Sequence, residues 1–296
     1  MLKVRLLLGI VFIVAVVGLL FVDDYLAGEY ALPFAPVFCG LVLLVTAMGV
    51  YEMASLLRRR GWRIYELPAL AAIVLMLSVE VITRGAGQRL QLAIGATPIS
   101  PTVLVLMLTF MAVFAAEVLR AVRTGDMTVA LESVAGTMLI VLYIGLLTAF
   151  IVAIRFLPHG LWCLLTWLAV TKCSDIGGYL AGMAFGRHKM APLLSPGKTV
   201  EGLLGGLVLS VAAAVGFGVP LLGLAAWQAV VFGLVVCAAA VIGDLAESLI
   251  KRAAESKDSS RLIPGFGGVL DIMDSILFTA PAAFLLLAAF AGRSAG

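Results

Sequence analysis

Asp271 and Asp274 stand three residues apart in LIPGFGGVLDIMDSILF, at the head of a long apolar run. A helix N-terminus favours an acidic side chain by about 0.3–1 kcal/mol. That accounts for one aspartate on a soluble helix, and not for two beside an apolar span. Further upstream, VIGDLAESLIKR places Asp244, Glu247, Ser248 and Lys251 at i, i+3, i+4 and i+7, one face of a helix. TKCSDIGGYL does the same for Lys172, Asp175 and Tyr179. The plain reading of each set is local: a Lys172–Asp175 ion pair, a Glu247–Lys251 pair, and a polar stripe against neighbouring helices. The chemical reading takes the sets together. Carboxylates gathered at one depth repel one another, so they either hold protons or surround a cation. Oxygen-only donors such as Asp and Ser favour a hard ion, Mg²⁺ before Zn²⁺.

Anion-binding features accompany the acids. Ser195-Pro196-Gly197-Lys198-Thr199 and Pro264-Gly265-Phe266-Gly267-Gly268 are small-residue turns that feed apolar helices. Free N–H groups and the dipole at such helix starts favour phosphate. Lys198, Lys251, Arg252, Lys257 and Arg261 add positive charge, although a cytoplasmic excess of basic residues explains most of them. Gly197-Lys198-Thr199 is not a P-loop, because Pro192 stands where the first glycine is required and no strand precedes it.

The elements that carry these groups are membrane helices. The chain of 296 residues is 63% hydrophobic and 12% charged, with a mean hydropathy of +1.16. A soluble domain is roughly 45–50% apolar and about 25% charged. The apolar runs lack period-2 alternation, so the spans are helices and not barrel strands. Nine are expected, at 6–22, 33–56, 67–83, 98–119, 133–154, 159–183, 201–222, 226–250 and 267–291. The run after Lys3 and Arg5 is read as a retained first span, since Asp23-Asp24-Tyr25 offers no cleavage site. With the N-terminus cytoplasmic, fifteen of the 20 Lys and Arg fall on the cytoplasmic side and four on the other. Lys172, inside the sixth span, completes them. That bias sets the orientation and supports nine spans.

On this topology Asp175, Asp244, Ser248, Asp271 and Asp274 all lie just beneath the cytoplasmic surface. Residues 1–154 (spans one to five) form a scaffold nearly free of intramembrane charge, with Glu52, Glu80 and Glu117 near span ends where snorkelling is cheap. Residues 155–296 (spans six to nine) carry the chemistry, within one continuous membrane domain. A net charge of +3, with no basic cluster interleaved with aromatics, excludes nucleic acid. The four cysteines sit in apolar runs as packing residues, and His159 and His188 lie in separate connections, which argues against a zinc site. Carboxylates for a metal, basic groups for phosphate and a site at the lipid boundary suit phosphoryl or nucleotidyl transfer onto a lipid.

The segment SLIKRAAESKDSSRLIPGFGGVLDIMDS (Ser248 to Ser275) closely resembles the signature of the phosphatidate cytidylyltransferases, also called CDP-diacylglycerol synthases. Ser248, Lys251, Arg252, Lys257, Asp258, Pro264, Gly265, Gly267, Gly268, Asp271 and Asp274 match it. Asp175, Tyr179, Gly182, Gly186, Ser195-Pro196, Lys198-Thr199 and Glu201-Gly202 resemble a second region of that family, and Gly243-Asp244 with Glu247-Ser248 a third. Two positions depart: Phe266 stands where the family usually has His, and Ile272 where it usually has Arg.

The resemblance implies the reaction of CTP with phosphatidic acid to give CDP-diacylglycerol and pyrophosphate. It implies Mg²⁺, alone or with a monovalent cation such as K⁺, on Asp244, Ser248, Asp271 and Asp274. It also implies a catalytic role for Asp244, Asp271, Asp274 and Lys251. Substrate would meet Asp175, Tyr179, Ser195, Lys198, Thr199, Glu201, Arg252, Lys257, Gly267 and Gly268. Expected partners are CTP, phosphatidic acid, membrane lipids and a second copy in a homodimer. The expected location is a bacterial inner membrane with the site facing the cytoplasm. Competing readings are an ion-coupled transporter using Asp175 and Asp244, another lipid-headgroup transferase, and an inactive relative that keeps the fold.

Overall fold

The computed structural model describes residues 2–30, 32, 34–85, 92–94, 97–256, 259–260 and 267–291. Nine long helices run through them: α1 (Leu2–Glu29), α2 (Pro36–Arg59), α3 (Glu66–Gly85), α4 (Pro101–Thr124), α5 (Ala130–Arg155), α6 (Gly160–Phe185), α7 (Val200–Leu222), α8 (Ala226–Ala253) and α9 (Leu270–Ala291). Seven of these, all but α1 and α6, are long and apolar enough to cross a membrane, and the chain is an integral membrane protein. Helix α6 carries Lys172 and Asp175 among its apolar residues. The only sheet among the described residues is two antiparallel hairpins: β1 (Leu92–Ile94) with β2 (Thr97–Ile99), and β3 (Lys189–Ala191) with β4 (Ser195–Thr199). The second lies in a segment expected to be a plain connection, and the first runs from such a segment into the first two residues of the span expected at 98–119. None of the four cysteines is in a disulfide.

The described chain divides into two compact units, one of Met1–Ala153 with Asp258–Leu270, the other of Ile154–Lys257 with Asp271–Gly296.

In the first unit, polar side chains do the capping that α2 lacks locally. Helix α2 starts with Pro36 and has no side-chain cap of its own. Asp23 from α1, fully buried, accepts from the N–H groups of Val37 (2.8 Å) and Phe38 (3.2 Å). These N–H groups have no intrahelical acceptor, so a buried carboxylate there satisfies both sides. Helix α2 then buries Gly49, Glu52, Met53 and Leu56, one helical face at i, i+3, i+4 and i+7. Near the α4–α5 connection, Glu117 accepts from Tyr65 Oη at 2.5 Å and from the Arg120 guanidinium, which also donates to the Asp126 carbonyl at 2.8 Å. Burial first, and then the Glu117 carboxylate, push the Tyr65 phenol above its ordinary range. Asp126 accepts from the Thr128 N–H (3.0 Å) and hydroxyl (2.7 Å) and pairs with Arg63 at 2.8 Å. Those contacts, in that order, hold its carboxyl well below the usual carboxylate range.

Glu52 and Glu117 are 1% and 3% exposed, so the expectation that they snorkel at span ends is wrong. Glu52 instead accepts from the N–H groups of Val269 (2.9 Å) and Leu270 (2.8 Å) and from the hydroxyls of Ser260 (2.6 Å) and Ser259 (3.3 Å). Enough local donors make burial tolerable where water is not needed. Gly268 packs directly on this cluster, and a Cβ there would collide with Ser259 Oγ and the Glu52 carboxylate. Gly267 adopts a φ of 94°, the left-handed region that favours glycine.

In the second unit, α6 and α7 meet through small residues. GYLAG (Gly178 to Gly182) faces GLLGG (Gly202 to Gly206), and a Cβ on Gly202 would lie 2.8 Å from the Gly178 carbonyl oxygen. Such small-xxx-small pairs let helix backbones approach closely where lipid removes the usual hydrophobic drive. The β3–β4 hairpin leads into α7. Thr199 caps α7 by accepting from the Gly202 N–H at 3.1 Å. Glu201 holds the other side of the hairpin by accepting from the N–H groups of Arg187 (3.0 Å) and His188 (3.2 Å).

Candidate active site

Three ion-pair groups within the second unit make the candidate site. On α6, Lys172 Nζ lies 3.0 Å from Asp175 Oδ2 and 3.2 Å from Ser275 Oγ of α9. Ser275 Oγ closes the triangle by donating to Asp175 Oδ2 at 3.1 Å. Below it, the fully buried Trp167 donates to Thr279 Oγ1 at 2.9 Å, and Thr171 lies 3.3 Å from the same hydroxyl. The local ion pair read from the sequence is therefore formed, and α9 completes it.

The second group joins the hairpin to α8. Lys198 Nζ pairs with Asp244 Oδ2 at 2.9 Å and reaches the Val241 carbonyl at 3.4 Å. The third joins α8 to α9. Lys251 pairs with Glu247 one turn earlier and donates to Asp271 Oδ1 at 2.8 Å. Glu247 is 1% exposed, and its Oε1 has no hydrogen-bond partner. Asp274 accepts from the Ser275 N–H at 2.6 Å, and Asp244, Lys172 and Asp175 all lie within electrostatic reach of it. Gly243 lets α8 and α9 close on each other here, since a Cβ would sit 2.7 Å from the Asp274 carbonyl oxygen and 2.7 Å from Phe278 Cβ.

The expected residues thus part into groups. Asp175, Lys198, Asp244, Lys251, Asp271 and Asp274 come together on α6, the hairpin, α8 and α9. Ser248 is half-buried on α8, one turn from Asp244. Thr199 and Glu201 are engaged in capping and in holding the hairpin, and Ser195 pairs with Ala191 in it. Tyr179 is 64% exposed and Arg252 is exposed, so neither joins these ion pairs. Gly267 and Gly268 belong to the first unit. Lys257, Asp258, Arg261, Pro264, Gly265 and Phe266 lie outside the described residues. Sequence reasoning passed over Thr279 and Trp167 and placed Ser275 on the face of Asp271 and Asp274 without a role; the polar contacts of all three reach between helices. The GYLAG and GLLGG repeats were the available signal that α6 and α7 touch.

The donors fit a hard divalent cation by chemistry: they are oxygen only, and Glu247 contributes a buried oxygen without a partner. Their present counter-charges are lysines. Among the described residues no group of three or more His, Cys, Asp or Glu is spaced to hold one metal ion in this arrangement.

The profile of the Cytidylyltransferase family matches residues 3–290. The chain belongs to that family. It is 30% identical over 250 residues to the phosphatidate cytidylyltransferase of Bacillus subtilis, covering 84% of this chain and 88% of the relative. A phosphatidate cytidylyltransferase of Mycobacterium bovis is 34% identical over 157 residues, 53% of this chain and 51% of that protein. An uncharacterized protein of Escherichia coli, YnbB, is 43% identical over 128 residues, 43% of each chain. The chain thus spans about half the length of the latter two relatives. Family membership weighs against the transporter reading of Asp175 and Asp244.

Proposed function

We propose that this protein is a phosphatidate cytidylyltransferase, joining CTP and phosphatidic acid into CDP-diacylglycerol with release of pyrophosphate. The observation that carries the reading is the pairing of Lys198 on the hairpin with Asp244 and of Lys251 with Asp271, on residues that match the family signature, three of them on apolar helices. The relatives that bear this name support it. A phosphate oxygen of phosphatidic acid attacks the α-phosphorus of CTP, and the bond from that phosphorus to the bridging oxygen of pyrophosphate breaks. Lys198 and Lys251 offer ammonium groups to the triphosphate and to the leaving pyrophosphate. Aspartates beside them keep both lysines charged and aimed. The Lys172–Asp175–Ser275 triangle holds α6 and α9 in register beside the reacting groups.

Asp244, Ser248, Asp271 and Asp274 would hold Mg²⁺, with K⁺ as a companion. Bound Mg²⁺ supplies charge neutralisation on the phosphates. Nine spans with a cytoplasmic N-terminus, a site facing the cytoplasm, a bacterial inner membrane and a homodimer complete the reading. Helices α1 and α6 are the two further spans, and the distribution of Lys and Arg supports the orientation.

The test is CTP-dependent conversion of phosphatidic acid by the detergent-purified protein across a Mg²⁺ titration. Asp271→Asn is the control. Turnover that needs Mg²⁺ and falls by about 10²–10³ in the variant is expected. Equal turnover in both proteins removes Asp271 from the mechanism, and no turnover with CTP sinks the reading.

A further inference from the structure

We propose that Glu52, on α2 and far from the signature in sequence, is the positioning residue that sets the start of α9 and thereby the aim of Asp271. The inference rests on the proposed cytidylyl transfer for its activity readout, and on the first unit alone for its geometry.

Glu52 sits 1% exposed on the buried face of α2, flanked by Met53 and Leu56, both fully buried. A carboxylate there is costly unless its lone pairs are filled. They are filled from one short stretch of chain 207 to 218 residues away: Ser259 Oγ, Ser260 Oγ, Val269 N–H and Leu270 N–H. The two backbone donors are the telling ones. Leu270 is the first residue of α9, and its N–H is among those with no acceptor inside the helix. A carboxylate accepting N–H groups at a helix start is an N-cap supplied from another helix. Asp271 is the very next residue. Fixing the peptide planes on either side of Val269 fixes where the chain enters α9, one residue before Asp271.

The stretch has been shaped around this contact. Gly268 leaves no room for a side chain between Ser259 and Glu52, and Gly267 takes a positive φ that turns the chain into the contact. The Gly-Gly pair of the signature therefore has a reason in this chain that needs no substrate: it lets residues 267–270 lie against Glu52. Glutamine at 52 could accept only through its carbonyl, and would turn an amide toward donors. Aspartate keeps the charge on a side chain shorter by one methylene.

The test uses the full-length purified protein with Glu52→Gln, Glu52→Asp and the double variant Ser259→Ala/Ser260→Ala. Hydrogen exchange over residues 267–275 is followed beside turnover of CTP and phosphatidic acid. Glu52→Gln is expected to lower kcat by about 10- to 100-fold, the range for loss of a group that orients a reacting side chain. KM for both substrates stays unchanged, and exchange at Val269 and Leu270 speeds up. Glu52→Asp recovers part of kcat, which a merely space-filling role would not produce. Should Glu52→Gln fail to fold, the serine variant keeps both backbone bonds and is expected to show a smaller kcat loss at constant KM.

Wild-type kcat in Glu52→Gln, or in the serine variant where Glu52→Gln cannot be purified, overturns the proposal. A kcat loss matched by an equal loss of folded protein, without rescue by aspartate, overturns it too. If the wild type turns over no CTP, the reading of the reaction falls and hydrogen exchange alone judges Glu52: unchanged protection at Val269 and Leu270 then overturns the anchor.

Discussion

Lys251 Nζ stands 2.8 Å from Asp271 Oδ1, tying the last turn of α8 to the first turn of α9. The same ammonium neutralises Glu247, which is 1% exposed. One cation thus serves two carboxylates from two helices, and taking it away leaves two charges where water is scarce.

Lys251→Met should therefore destabilise the protein by about 3–5 kcal/mol, the usual result of removing one partner from a buried pair. Adding Glu247→Gln should restore most of that stability and none of the activity. Thermal unfolding in detergent and CTP turnover, measured on the single and double variants, separate the two effects. Additive stability losses would show that Lys251 and Glu247 act independently.

Lys198 joins the hairpin to Asp244 and is the basic group best placed to meet phosphate beside α8. Lys198→Ala should raise KM for CTP about tenfold, the equivalent of about 1.4 kcal/mol of binding. KM for phosphatidic acid should change less. A variant with unaltered KM for CTP confines Lys198 to the structural pair with Asp244.

Gly243 has backbone and a Phe278 Cβ within 2.7 Å of where a side chain would begin. Gly243→Ala should cost about 1–3 kcal/mol, as overpacking does. It should also depress turnover, because α8 carries Asp244 at the next position and must move away from Asp274. Wild-type melting and turnover in this variant would mean that α8 and α9 do not approach as described.

Asp126 provides a pH test outside the membrane helices. Its carboxyl is held below the ordinary 3.8 by the Thr128 N–H first, then the Thr128 hydroxyl and Arg63. A depressed carboxylate pKa stabilises the fold fully above the unfolded value and loses that contribution as pH falls through the folded one. The difference in melting temperature between wild type and Asp126→Ala should be constant from pH 7 to about pH 5 and shrink below about pH 4. A difference that instead grows on acidification would refute the assignment of these contacts to the ionised form.

Hydropathy and local periodicity settled what lies within one helix. They showed that the chain crosses a membrane, that Asp244, Glu247, Ser248 and Lys251 share a face, and that Lys172 and Asp175 can pair, because a helix places i, i+3, i+4 and i+7 together whatever surrounds it. Residue identities at matching spacing, from Ser248 to Asp274, also carried the resemblance to the family whose profile covers residues 3–290. Helix faces say nothing about which other helix they meet. Only packing decided that Lys198 pairs with Asp244 and Lys251 with Asp271. Only packing decided that Ser275 closes on Asp175. Glu52 shows the limit most plainly. Its position near a span end suggested a carboxylate reaching for water, whereas its acceptors are filled by backbone 217 and 218 residues away. A buried charge is decided by the donors that the folded chain brings to it, and no local pattern records them.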